Sequence, residues 1–148
     1  MRPIGVIHSP FNTTKGMPIQ PTFSDAAGQV EVFPEFAEGL RDLEGFSHII
    51  LIYALHRAGN YALLVRPFLD DAERGVFATR HPSRPNPIGI SIVRLLTRSA
   101  TFLEVGGIDV LDGTPLLDIK PYVPDFDVRI PARAGWYESR PAGKDGRS

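Results

Sequence analysis

The segment Arg80-His81-Pro82-Ser83-Arg84-Pro85-Asn86-Pro87-Ile88-Gly89 sets two arginines, a histidine and an asparagine among three prolines, directly after the apolar run Val76-Phe77-Ala78. Proline fixes its own φ and pushes the residue before it toward extended geometry. Arg84 and Asn86 each precede a proline, so the loop is expected to be stiff, with little freedom left to lose on binding. Guanidinium groups held this way suit a preorganised contact to an anion or a nucleotide. The plainer alternative is a rigid connector whose arginines are simply solvated.

A second polar constellation runs from Asp109 to Tyr122. Asp112-Gly113 is a tight-turn signal. In the strand expected after it, period two puts Asp118 and Lys120 on one face and Leu117 and Ile119 on the other. Such an acid–base pair is either a surface ion pair of little energetic value or, if the same face meets the arginine loop, part of one polar pocket. Met17-Pro18-Ile19-Gln20-Pro21 is another stiff loop with an amide to offer. His56-Arg57 ends a long apolar run, where functional groups often sit. No metal site is expected, because His8, His48, His56 and His81 lack HxH or HxxxH spacing, and His48 reads as a satisfied core histidine. There is no GxSxG elbow, no GxGxxG and no P-loop, which argues against a hydrolase, a Rossmann cofactor site and a Walker NTPase.

The scaffold behind these groups is expected to be mostly β. The chain has 148 residues, 43% apolar and 22% charged, with a net charge of −1 and no cysteine. These values fit one globular domain over residues 1–138, followed by a disordered tail over 139–148. Near-neutral charge means any nucleic-acid contact must be local. Without cysteine there is no disulfide or thiolate chemistry. No apolar run approaches the ~20 residues of a membrane span, the N-terminus has no signal-peptide pattern, and a cytoplasmic protein is expected.

Glycine and proline number 14 each, favouring short strands joined by turns. Strands are expected at Ile4–Ile7, Gln29–Phe33, His48–Leu55, Tyr61–Val65, Val76–Thr79, Ile88–Leu96, Phe102–Val105, Ile108–Leu111 and Leu116–Lys120. The apolar stretch Phe46–Leu55 reads as a central strand buried on both faces. A short helix is expected within Glu35–Leu43. The architecture that accommodates so many short strands is a small closed or nearly closed antiparallel β-barrel with one or two short helices.

Taken in order, Ile4-Gly5-Val6-Ile7-His8-Ser9-Pro10, the Gly39-Leu40 to Phe46-Ser47-His48 region, Gly75-Val76-Phe77-Ala78-Thr79-Arg80 into Arg84-Pro85-Asn86-Pro87-Ile88-Gly89, and Asp112-Gly113-Thr114-Pro115 into Asp118-Ile119-Lys120-Pro121-Tyr122 resemble the TrmO family, also called TsaA-like or YaeB-like. The resemblance covers about residues 3 to 124. It implies a non-Rossmann, β-barrel methyltransferase dependent on S-adenosyl-L-methionine and working as a homodimer on tRNA. The implied target is the exocyclic amino nitrogen of threonylcarbamoyl-adenosine beside the anticodon. Carried over by motif, cofactor contacts fall on Pro18, Ile19, Gln20, His56, Arg57, Arg80, Ile90, Asp109, Leu111, Asp112, Gly113, Thr114 and Pro115. The Arg-Pro-Asn-Pro and Asp-x-Lys-Pro elements place Arg84, Asn86, Asp118 and Lys120 on the substrate side. Longer members carry a C-terminal extension, and the shared motifs lie ahead of it. Two alternatives share the cofactor site: a small-molecule methyltransferase, and an adenosyl-ligand binding module without chemistry.

Overall fold

Alternation of apolar and polar residues along short segments yields strands that bury one face each. In the computed structural model, which describes residues 1–12, 25–68 and 70–139, these are β1 (Gly5–His8), β2 (Ala27–Val32), β3 (His48–Ala54), β4 (Leu64–Val65), β5 (Arg74–Gly75), β6 (Ile88–Ser99), β7 (Phe102–Gly106) and β8 (Thr114–Pro121). Six of them close into a barrel in the order β1-β2-β7-β6-β3-β8, every pairing antiparallel. The barrel is fully closed, as β8 returns to pair Leu116 with Gly5 of β1. Its interior is filled by Ile7, Val30, Val32, Ile49, Leu51, Tyr53, Val93, Leu103, Val105 and Leu116. Truncating one of these, such as Leu51→Ala, should cost about 2–5 kcal/mol.

Antiparallel order fixes what lies at each end. The connections leaving β1, β3 and β7 and those entering β2, β6 and β8 all meet at one end, here called the mouth. Ile108 and Val110, from the β7–β8 connection, plug the mouth, and Leu40 and Leu43 plug the opposite end. The β3–β6 connection also carries β4 and β5, a small two-stranded sheet that forms an arm outside the barrel.

Several expectations need correction. Val76–Thr79 is not a strand: Val76–Ala78 forms a 3-10 turn. Both the backbone N–H and the hydroxyl of Thr79 bond to Val76 O, a local arrangement that competes with strand pairing. Ile108–Leu111 is likewise irregular, with Gly107 and Ile108 both donating to Ala26 O. The expected strand from Tyr61 is reduced to Leu64–Val65. The expected helix becomes two 3-10 turns, Pro34–Leu40 and Leu43–Gly45, broken where Asp42 takes φ 72°; a short α-helix, α1 (Pro124–Asp127), follows β8. Strand β3 is buried on its inward face only: Ile49, Leu51 and Tyr53 point in, while His48, Ile50, Ile52 and Ala54 point out and are half-buried. His48 is therefore satisfied outside the core, its Nδ1 2.8 Å from Ser47 Oγ and its ring edge-on to Tyr122. The tail expected over 139–148 lies, apart from Ser139, outside the described residues.

Candidate functional site

The mouth gathers most of the chemistry-bearing residues from distant parts of the sequence. His56 and Arg57 follow β3, Arg80 to Pro87 precede β6, and Asp109 to Gly113 connect β7 to β8. Hydrogen bonds tie these loops together. Arg57 Nη1 donates to Asn12 O at 3.0 Å, and Leu55 N donates to Pro87 O at 2.8 Å. Asp112 accepts from Ser9 N at 3.0 Å and donates its own N–H to Phe11 O at 2.8 Å. Gly113 makes the turn with φ 81°, a conformation side chains resist, and Thr114 closes it through Leu111 O. His8 stands between Glu31 Oε1 at 2.9 Å and Asp112 Oδ1 at 3.7 Å. The expected Pro18, Ile19 and Gln20 contacts lie outside the described residues.

Behind the mouth the barrel interior turns polar. Asp109, only 5% exposed, accepts from Ser91 Oγ at 2.6 Å, and Ser91 Oγ lies 2.7 Å from the Tyr53 hydroxyl. A carboxylate only accepts, so when Asp109 is ionised the protons run Tyr53 to Ser91 to Asp109. Burial pushes the Asp109 carboxyl up to about 7, with the Ser91 hydrogen bond and the Arg80 charge acting in the opposite direction. Burial first, and the Asp109 charge second, raise the Tyr53 phenol above its ordinary value. Tyr53 in turn packs against Gly89: a Cβ there would lie 2.3 Å from the tyrosine ring, so the Pro-Ile-Gly entry to β6 is shaped to that ring. Tyr53 and Ser91 are absent from the sequence-based set. The available signal was a phenol and a hydroxyl at inward positions of apolar strands, where each must find a partner.

The arginine loop is stiff by its own bonding as well as by proline. Arg84 Nη1 donates to Thr79 O at 2.7 Å and His81 O at 3.1 Å, and its guanidinium lies 6.0 Å from the Phe77 ring centroid. His81 Nδ1 accepts from Ser83 N at 3.1 Å, and burial together with the Arg84 charge lowers its pKa. Arg80 and Asn86 are exposed at the mouth.

A second group lies on the outside of the same wall. Asp118 is opposite Ile52 and Lys120 opposite Ile50, while Ile90 and Ile92 flank them across β3. Lys120 Nζ is 3.5 Å from Asp118 Oδ2, and Asp118 Oδ1 accepts from Ile119 N at 2.9 Å. Pro115 also takes the outward side. The expected residues thus divide between the mouth (His56, Arg57, Arg80, Asn86, Asp109, Leu111, Asp112, Gly113, Thr114) and the outer face (Ile90, Asp118, Lys120). An open groove of about 400 Å³ lined by Ala37, Glu38, Arg41 and Arg98 lies at the end of the barrel away from the mouth. Among the described residues no cluster of three histidine, cysteine or carboxylate side chains can hold a metal ion, and no helix is long and apolar enough to cross a membrane.

The mouth thus brings the guanidinium groups of Arg80 and Arg57 to the same end of the barrel as the carboxyl groups of Asp109 and Asp112. The chain is 62% identical over 138 residues to a probable S-adenosyl-L-methionine-binding protein of Pyrococcus abyssi, covering 93% of this chain and 75% of that one. It is 38% identical over 152 residues to the tRNA (adenine(37)-N6)-methyltransferase of Escherichia coli, covering 95% of this chain and 65% of that enzyme. The crystal structure of TrmO from Pseudomonas aeruginosa superposes with a TM-score of 0.80 at 43% identity, covering 95% of this chain and 63% of that one. The chain thus spans somewhat under two thirds of those two longer relatives. Residues 6–128, most of the chain, match the profile of the tRNA-methyltransferase O N-terminal domain, and the chain belongs to the TrmO family.

Proposed function

We propose that the protein is an S-adenosyl-L-methionine-dependent tRNA methyltransferase acting on the exocyclic amino nitrogen of threonylcarbamoyl-adenosine beside the anticodon. The observation that carries the reading is the convergence of His56-Arg57, the Arg80 loop and Asp109–Thr114 on one barrel mouth, in a chain whose family includes a tRNA (adenine(37)-N6)-methyltransferase. When bound, the cofactor supplies an activated methyl group on a sulfonium that carries its own leaving group. The protein's part is to bind, orient and exclude water. Arg80, with Arg57 beside the strand end, holds the carboxylate; Asp112 and Asp109 take hydroxyl groups, and the Gln20 loop contributes to the adenine. Nitrogen–methyl bond formation releases one proton from the amino nitrogen. Asp118, with Lys120 Nζ 3.5 Å from its carboxylate, accepts or orients it. Arg84 and Asn86 serve the substrate side, Arg84 through the loop carbonyls it binds. A loop nucleotide is already unstacked or easily flipped, so a few local cations suffice for a chain of net charge −1.

The same reading includes a homodimer in the cytoplasm. Two features support the dimer. The outer face of β6 exposes Ile88, Ile90 and Ile92, and the arm exposes Tyr61, Leu63, Leu64, Phe68 and Phe77, the last by 76%. Contiguous apolar surface of this kind marks an interaction site. A second copy on the outer face would also bring Asp118 and Lys120 of one protomer toward a mouth of the other, uniting the two groups that a single barrel wall separates.

The test is incubation with methyl-labelled cofactor and tRNA from cells lacking the enzyme, followed by nucleoside analysis. Label on threonylcarbamoyl-adenosine is the expected result. Absence of label from every nucleoside, with the cofactor still bound tightly, refutes methyl transfer to tRNA.

A further inference from the structure

We propose that Trp136 is a positioning residue for the loop that carries Arg80 and Arg84, fastening that loop from outside the barrel so that the mouth is preorganised for the adenosyl cofactor; this rests on the cofactor reading above.

Strand β8 leaves the barrel at the end away from the mouth, yet the chain comes back to the arginine loop. The indole Nε1 of Trp136 donates to Ala78 O at 2.7 Å. Trp136 stands in the 3-10 turn Gly135–Ser139, which is closed by Tyr137 N to Ala134 O at 3.1 Å and by Ala134 N to Glu138 Oε1 at 3.0 Å. The Arg74 guanidinium lies over the indole, 5.9 Å from the ring centroid. That guanidinium is itself held by the buried Asp70, at 2.7 Å from Nε and 2.6 Å from Nη2. The indole therefore grips the Val76–Ala78 turn on both flanks, at Arg74 before it and at Ala78 after it.

The loop is also tied to the segment before it: Val76 N donates to Leu63 O at 2.8 Å, Ala62 N to Ser83 O at 3.1 Å and Leu55 N to Pro87 O at 2.8 Å. Thr79 bonds Val76 O, and Arg84 bonds Thr79 O and His81 O. Those bonds all lie within the β3–β6 connection, whereas the indole bond comes from the segment beyond β8 and fixes the loop against a part of the chain outside that connection. Ala78 is two residues from Arg80, so the indole bond acts almost directly on the backbone that aims the Arg80 guanidinium. Trp136 lies beyond residues 6–128, the stretch matched to the family model. A loop ordered before binding spares the cofactor the entropy of ordering it.

Full-length wild type, Trp136→Phe (which keeps a ring beside Arg74 and removes the donor) and Trp136→Ala are compared. Hydrogen exchange without ligand reads the order of residues 76–87, calorimetry reads affinity for S-adenosylmethionine, and thermal unfolding reads the fold. Exchange over 76–87 should quicken in both variants while the barrel strands keep their protection and the thermal midpoint holds. Affinity should fall about fivefold in Trp136→Phe, the effect of one neutral hydrogen bond, and further in Trp136→Ala. In turnover the KM for the cofactor should rise with kcat retained, a split that general loss of fold does not produce. Wild-type affinity in both variants overturns the proposal whatever the exchange shows. Wild-type protein that binds no cofactor overturns the functional reading, and this inference with it, before any variant is compared.

Discussion

Replacing Asp109 with asparagine should abolish a pH dependence of stability that the wild type carries in its core. The ordinary aspartate value is 3.8, and burial behind the mouth pushes it up to about 7. Between those two values the native protein keeps a proton that the unfolded chain has released, so stability falls as pH rises and levels off above the native value. The slope for one proton is about 1.4 kcal/mol per pH unit, and about three units of separation make the loss on the order of 4 kcal/mol. For a chain of this size that corresponds to roughly 10 °C in thermal midpoint. Asparagine keeps the shape and still offers an oxygen to Ser91, but it has nothing to ionise. Urea unfolding from about pH 4.5 to 8.5 is run on both proteins and the difference is plotted, which cancels groups common to both. Those include Asp70 and Glu44, held low by their bonds to Arg74 and Arg98, and His81, lowered by burial and Arg84. Asp109→Asn should gain on the wild type steadily up to about pH 7. A difference that stays flat across the range refutes the argument that Asp109 is desolvated enough to hold its proton.

Three further outcomes follow from the geometry. Gly89→Ala puts a Cβ 2.3 Å from the Tyr53 ring, and should destabilise by about 1–3 kcal/mol in chemical denaturation, the usual effect of overpacking. Ile92→Glu places a charge on the outer face, where Ile92 is 42% exposed; light scattering should find a dimeric wild type and a folded, monomeric variant whose thermal midpoint no longer depends on protein concentration. Asp118→Asn should lower kcat for tRNA methylation while the affinity for S-adenosylmethionine, read by calorimetry, stays within about twofold.

The strands of the barrel were legible because one-sided burial writes itself as period two, as in His48–Ala54, and because Asp112-Gly113 marks its turn in local chemistry. Where burial is not one-sided, the pattern misleads. Ile108 and Val110 plug the mouth and Asp109 between them is buried too, so three consecutive buried residues read as a strand and are none. The same limit made Phe46–Leu55 look buried on both faces, since the outward positions of β3 carry isoleucines as its inward positions carry apolar residues. Val76–Thr79 failed because a side-chain bond from Thr79 outweighs β propensity over so short a run. The mouth residues were legible as types in stiff loops. Their grouping was not, because Tyr53, Ser91 and Asp109 meet only where two strands, β3 and β6, and the β7–β8 loop come together.

That closure has a bearing on how the molecule comes to exist. β1–β2, β6–β7 and β3–β6 join barrel strands that follow one another in the sequence, the last across the long connection that carries β4 and β5; β2–β7, β3–β8 and β1–β8 join strands further apart in the chain. Such long-range pairing makes folding slow, because each chain loop must close before its contacts can repay the lost entropy. Strand β8 is the last barrel strand to leave the ribosome and it fills two vacancies at once, along β1 and along β3. A nascent chain that ends before Thr114 therefore presents two unpaired strand edges, each a template for pairing with another chain. Pausing synthesis ahead of β8 should leave a species that chaperones hold, and release of the last strand should retire both edges in one step.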